Sequence, residues 1–164
     1  MVAAFDARAV LDDAAALATK YPEGGARLPY YRALLALDLG NVRDATLLLA
    51  EARGRAQALR ISKLERNVAG ARALLLVHLG RTGEAREILA STRSLASSAC
   101  ETAEDDVNGG YAALAEADLQ PTESKISEAT AAFSRVTEGS ACADPYIKAL
   151  AYGNMALAST LRGD

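Results

Sequence analysis

The chain has 164 residues, half of them hydrophobic, and a formal net charge of −3. That length suits one domain with its own core and no need for metal or disulfide staples, and no apolar run reaches the roughly 18–20 residues of a membrane span. The hydrophobic half is mostly Ala and Leu, with no Trp and two Phe, so strong helix formers dominate and an all-α protein is predicted.

Charge is distributed unevenly. Residues 1–99 carry 14 Lys+Arg against 10 Asp+Glu, whereas residues 100–164 carry 4 against 11. A globally basic nucleic-acid binder is therefore not expected. The opening Met1-Val2-Ala3-Ala4-Phe5-Asp6 lacks the basic and apolar regions of a signal peptide, which predicts a cytoplasmic location and no membrane association.

In chain order, helices are expected near 5–19, 27–39, 42–58, 62–79, 82–99, 110–119, 122–137 and 145–162. Tyr21-Pro22-Glu23-Gly24-Gly25 and Asn108-Gly109-Gly110 read as turns or interruptions. Residues 100–110 are expected to extend the helix before or after them. Ser62 and Glu65 have the spacing of a capping box. Asp144-Pro145 and Pro121-Thr122 mark two further helix starts. Gly40 and Gly80 stand just past runs of helix formers, where a left-handed stop belongs.

A pattern recurs along these elements. Asp6-Ala7, Asp44-Ala45, Glu84-Ala85 and Glu128-Ala129 are each followed by apolar residues at helical spacing: Val10-Leu11, Leu48-Leu49, Ile88-Leu89 and Ala132-Phe133. The four Ala residues follow one another at spacings of 38, 40 and 44, a period typical of stacked helical arrays. The helix before each later copy has its own small residue, Ala33, Ala73 and Ala113, with Ala156 as a fourth.

These residues resemble a tetratricopeptide repeat array. Ala33, Ala73, Ala113 and Ala156 match the small position of the first helix, and Gly40 and Gly80 match the turn. Ala7, Ala45, Ala85 and Ala129 match the next small position, Leu11, Leu49, Leu89 and Phe133 the bulky one, and Ala14 and Ala52 the last. The period of about 40 exceeds the family's 34, so the likeness is to a longer-helix variant. The resemblance implies a right-handed α-solenoid of about four antiparallel helix pairs, forming one domain over residues 1–164. It also implies a scaffold that binds a peptide or partner helix in its concave groove. Helices around 27–39, 62–79, 110–119 and 145–162 would line that groove.

His78, the sole histidine, takes the repeat position of Asp38 and Asp118. With Arg72, these are the candidate groove residues; the plainer reading is a polar position facing water. Arg53, Arg55, Arg60, Lys63, Arg66 and Arg72 form a basic stretch able to meet an anionic partner, though most such stretches are solvated helix faces. No aromatic interleaving supports nucleic acid. The acids Glu101, Glu104, Asp105 and Asp106 fall where a helix dipole favours them. No phosphate loop, metal-ligand spacing or nucleophile motif points to an enzyme, a metal or a cofactor.

Cys100 and Cys142 occupy similar places in adjacent repeats. Stacked helix axes lie about 8–10 Å apart, and a bridge needs Cα atoms within about 7 Å, so free thiols are expected. The repeat begins with a second helix and closes with a first. Its final helix is apolar on nearly every face, which predicts self-association through that helix or an excerpt of a longer array. The alternative function is a ligand- or peptide-sensing domain of a larger bacterial regulator.

Overall fold

A computed structural model describes residues 7–18, 20–93, 96–139, 141–142 and 144–163. Asp6 of the first motif copy, the rest of the signal-peptide reading and Asp164 lie outside them. Every described element is helical: α1 (Ala7–Ala18), α2 (Pro22–Asp38), α3 (Val42–Leu59), α4 (Ser62–His78), α5 (Thr82–Arg93), α6 (Ala99–Leu119), α7 (Glu123–Ser134) and α8 (Pro145–Arg162). A π-helical turn, Arg135–Gly139, extends α7. No helix among the described residues is long and apolar enough to cross a membrane. The residues fall into two compact units, 1–71 and 72–164, with the boundary inside α4.

In the first unit, α2 packs against α1 and α3. The contact is made of small residues: Ala26, Ala33 and Ala36 of α2, and Ala45, Ala52 and Ala56 of α3 are buried beside Leu49. Asn41 starts α3 by accepting from the Asp44 N–H at 3.3 Å and donating to the Asp44 carboxylate at 2.6 Å. The acid of the repeated pair is thus a first-turn capping partner. Gly40 and Gly80 end the α2 and α4 segments at φ +72°, as the sequence predicts.

The second unit has two clusters. Ala73, Leu76 and Val77 of α4 pack with Ala85 of α5 and Ala112 of α6. A larger cluster joins Val107, Ala113, Leu114 and Ala117 of α6 to Ile126, Ala129 and Phe133 of α7 and to Ile147, Ala151 and Ala158 of α8.

Several boundaries differ from the sequence reading. Pro22, Gly24 and Gly25 form the first turns of α2 rather than a loop, with Pro22 at a position where proline costs no hydrogen bond. Ser62 lies inside α4, and the Ile61 carbonyl accepts from the Leu64 and Glu65 N–H groups. Most instructively, α6 runs unbroken through Asn108-Gly109-Gly110. Gly110 serves close packing there: a Cβ at that position would stand 2.5 Å from Phe133 Cε1.

Helix α5 ends at Arg93, earlier than expected, and α6 starts anew at Ser98. That hydroxyl accepts from the Glu101 N–H, while the Glu101 carboxylate accepts from the Ser97 N–H at 2.6 Å. Thr122 and Asp144 cap α7 and α8 as predicted.

The cysteines are not free. Cys100 and Cys142 form a disulfide with Cα atoms 4.5 Å apart. Helix-axis spacing does not govern this contact, because neither residue sits midway along a pair of stacked helices. Cys100 lies in the first turn of α6 and Cys142 in the connection before α8, where the backbone approaches more closely.

Candidate functional site

The site grows from charges spaced seven apart on two helices. Arg86 and Arg93 lie two turns apart on α5, and Glu128 and Arg135 repeat that spacing from α7 into the π-helical turn. Each pair therefore occupies one helix face. Together with α6 these faces line a groove of about 570 Å³. Leu89, Ala90, Ala112, Ala131 and Ala132 give it an apolar strip, and the charges stand along it.

Arg86 forms two forked pairs, reaching Glu116 at 2.8 and 2.9 Å and Glu128 at 2.6 and 2.9 Å. Lys125 also contacts Glu116. The paired carboxylates raise the Arg86 pKa, Glu128 first and then Glu116, against the opposing effect of burial. Hydrogen bonding from Arg86 holds the Glu116 carboxyl down to about 2, with Lys125 adding to it and burial opposing. Glu128 is lowered by the same guanidinium. Such planar, bidentate pairing fixes side chains in direction as well as in charge.

Farther along the groove, the buried Asp106 carboxylate accepts from Arg93 at 2.9 Å and from Arg135 at 3.0 and 3.3 Å, all on Oδ1. The two arginines are themselves half exposed, at 54% and 53% of the side chain. One buried acid thus orients two solvent-facing guanidinium groups from opposite walls. Of the rest of the predicted acidic cluster, Glu101 stands in the first turn of α6, where the helix dipole favours it, while Glu104 and Asp105 lie a turn farther in.

The residues singled out from sequence lie elsewhere. Asp38, His78 and Asp118 keep equivalent positions near the ends of α2, α4 and α6, and all three are exposed. None lines the groove. Arg72 is half-buried on α4. Of the basic stretch, Arg53, Arg60 and Lys63 are exposed. Arg55 pairs with Glu51 at 2.6 Å and donates to the Gly25 carbonyl at 2.7 Å. Arg60 ends α3 in the left-handed region at φ 54°. Arg66 is only 3% exposed, which removes it from any surface patch. It lies two residues from the buried Leu64 and Val68 and so on another face of α4, and its chemistry as a residue type misdirects the sequence reading.

Comparison with protein-family models, with curated proteins and with solved structures gives no match.

Proposed function

We propose that the chain is a protein-interaction module of tetratricopeptide-like helical pairs, and that it holds a short peptide or partner helix in the groove of α5, α6 and α7. The supporting observation is the apolar strip of Leu89, Ala90, Ala112, Ala131 and Ala132 running between fixed charges of both signs. Recognition of a helix or extended segment needs such a strip for apolar contact and polar edges for direction. The right-handed solenoid and its repeat period belong to this proposal, resting on the buried small residues Ala33, Ala73 and Ala113 and their partners Ala45, Ala85 and Ala129.

Selection from a random peptide display library tests it. Ala131 is exposed, so Ala131→Tyr fills the groove without entering the core. Selected peptides should lose at least tenfold in affinity for this variant while its melting temperature holds. Peptides that bind both forms equally would place recognition outside the groove.

A volume of about 570 Å³ also falls within the range of small-molecule pockets, roughly 300–1,000 Å³. That observation favours the sensing-domain reading second, and a thermal-shift screen of small molecules against the same pair of proteins separates the two. The Cys100–Cys142 bridge supports an oxidising compartment over the cytoplasmic location expected from sequence.

A further inference from the structure

Among the described residues, one face of α8 and one of α1 are more exposed than their counterparts in the internal helix pairs, and they are complementary halves of a contact the chain already makes. In each internal pair, the small residue of the first helix is sealed by the motif of the second. Ala113 of α6 packs with Ile126, Ala129 and Phe133 of α7, and Ala73 of α4 packs with Ala85 of α5. Ala33, Ala73 and Ala113 are accordingly 0%, 1% and 1% exposed.

Ala156 holds the same repeat position on α8 and is exposed. Beside it stand Tyr152 at 58% and Leu157 at 56%, with Tyr146 at 69% farther along the same helix. Ala149 and Gly153, both exposed, complete the stripe. Small residues between large apolar ones allow another helix to approach closely. The opposite side of α8 is satisfied: Ile147, Ala151 and Ala158 lie in the cluster with α6 and α7.

The motif of α1 shows the converse. In α3 the equivalent residues Ala45, Leu49 and Ala52 are 0%, 1% and 0% exposed. In α1, Ala7, Leu11 and Ala14 are only partly covered, and Val10 is 49% exposed. Among the described residues, a first-helix face is thus exposed at α8, and a second-helix face is only partly covered at α1.

We infer that α8 of one copy pairs with α1 of a second copy, repeating between chains the contact made within the chain at α2–α3 and α6–α7. The contact is heterologous, since two different surfaces meet, so association continues head to tail until a ring closes or a filament grows. It rests on the repeat and on exposure, and stands or falls separately from the α5–α7 groove.

Sedimentation velocity on the full chain, from dilute to concentrated solution, tests it with two variants. Ala156→Glu blocks the α8 face and Val10→Glu blocks the α1 face; both positions are exposed, so the fold should persist, and circular dichroism checks this. If Ala156→Glu lowers the melt, Tyr152→Glu replaces it. Wild type is expected to associate with rising concentration, and each variant alone to stay monomeric. An equal mixture of the two, which retains one intact face of each kind, should give dimers and nothing larger. A monomeric wild type at the highest concentration would overturn the proposal and leave α8 to another occupant. Val10→Glu associating like wild type would overturn it too, since α8 would then pair with another α8. So would a mixture that fails to recombine.

Discussion

Replacing Gly110 by Ala sets two effects of opposite sign against each other. The exchange within a helix favours folding by about 0.5–1 kcal/mol, through helix propensity and reduced backbone entropy. Against this, a Cβ at Gly110 would lie 2.5, 2.7 and 2.9 Å from Cε1, Cζ and Cδ1 of Phe133. The ring cannot step aside. Phe133 is 0% exposed and its ring meets that of Tyr111 edge-on, with centroids 6.4 Å apart. Overpacking of this kind costs about 1–3 kcal/mol, so a net loss of up to about 2.5 kcal/mol is expected after the propensity gain.

At roughly 2–4 °C per kcal/mol for a chain of this size, the melt should fall by up to about 10 °C. Gly109 supplies the control, because nothing lies within 4 Å of its added Cβ and Gly109→Ala shows the propensity gain alone. Calorimetry or far-ultraviolet circular dichroism on both variants reads the difference. Gly110→Ala melting at or above Gly109→Ala would refute the close-approach argument.

Three further outcomes follow from the same packing and charges. Glu116 has a folded pKa of about 2 against an ordinary 4.5, so it favours the folded state above 4.5 and loses that contribution as pH falls toward 2. Melting temperature should be level near neutrality and decline below about pH 5, and Glu116→Gln should flatten part of that decline; an unchanged acid profile would exclude the Arg86 network as its source. The disulfide closes a sequence separation of 42, so Cys100→Ser with Cys142→Ser should cost about 4 kcal/mol by loop entropy. A melt insensitive to reductant would contradict the pairing. Ala45 and Ala85 are both 0% exposed, and Leu at either should destabilise by about 1–3 kcal/mol; two silent substitutions would displace the repeat register.

What could be read from sequence follows the physics of each feature. The acid-Ala pairs and small residues were legible because helix contacts are set every third or fourth residue, within reach of a local pattern. Ala33, Ala73 and Ala113 are buried as that pattern requires, while Ala156 departs from it and is exposed. Asn108-Gly109-Gly110 misled because glycine pairs usually punctuate loops, and the reason for Gly110 is a ring 23 residues away. The disulfide was misjudged because helix spacing says little about a first turn and a connecting segment. The groove stayed hidden because its bonds join Arg86 to Glu116 and Glu128, and Arg135 to Asp106, across separations no short motif spans. Its one local trace was the spacing of seven between Arg86 and Arg93 and between Glu128 and Arg135.

The Cys100–Cys142 bond also changes how the chain survives being cut. It turns the stretch carrying α6 and α7 into a covalent ring, from which α8 extends as a tail. A single protease nick anywhere inside that ring, for instance in the π-helical turn Arg135–Gly139, leaves both fragments tethered. The nicked protein would migrate as one molecule on a denaturing gel and separate into two pieces only once a reductant opened the ring.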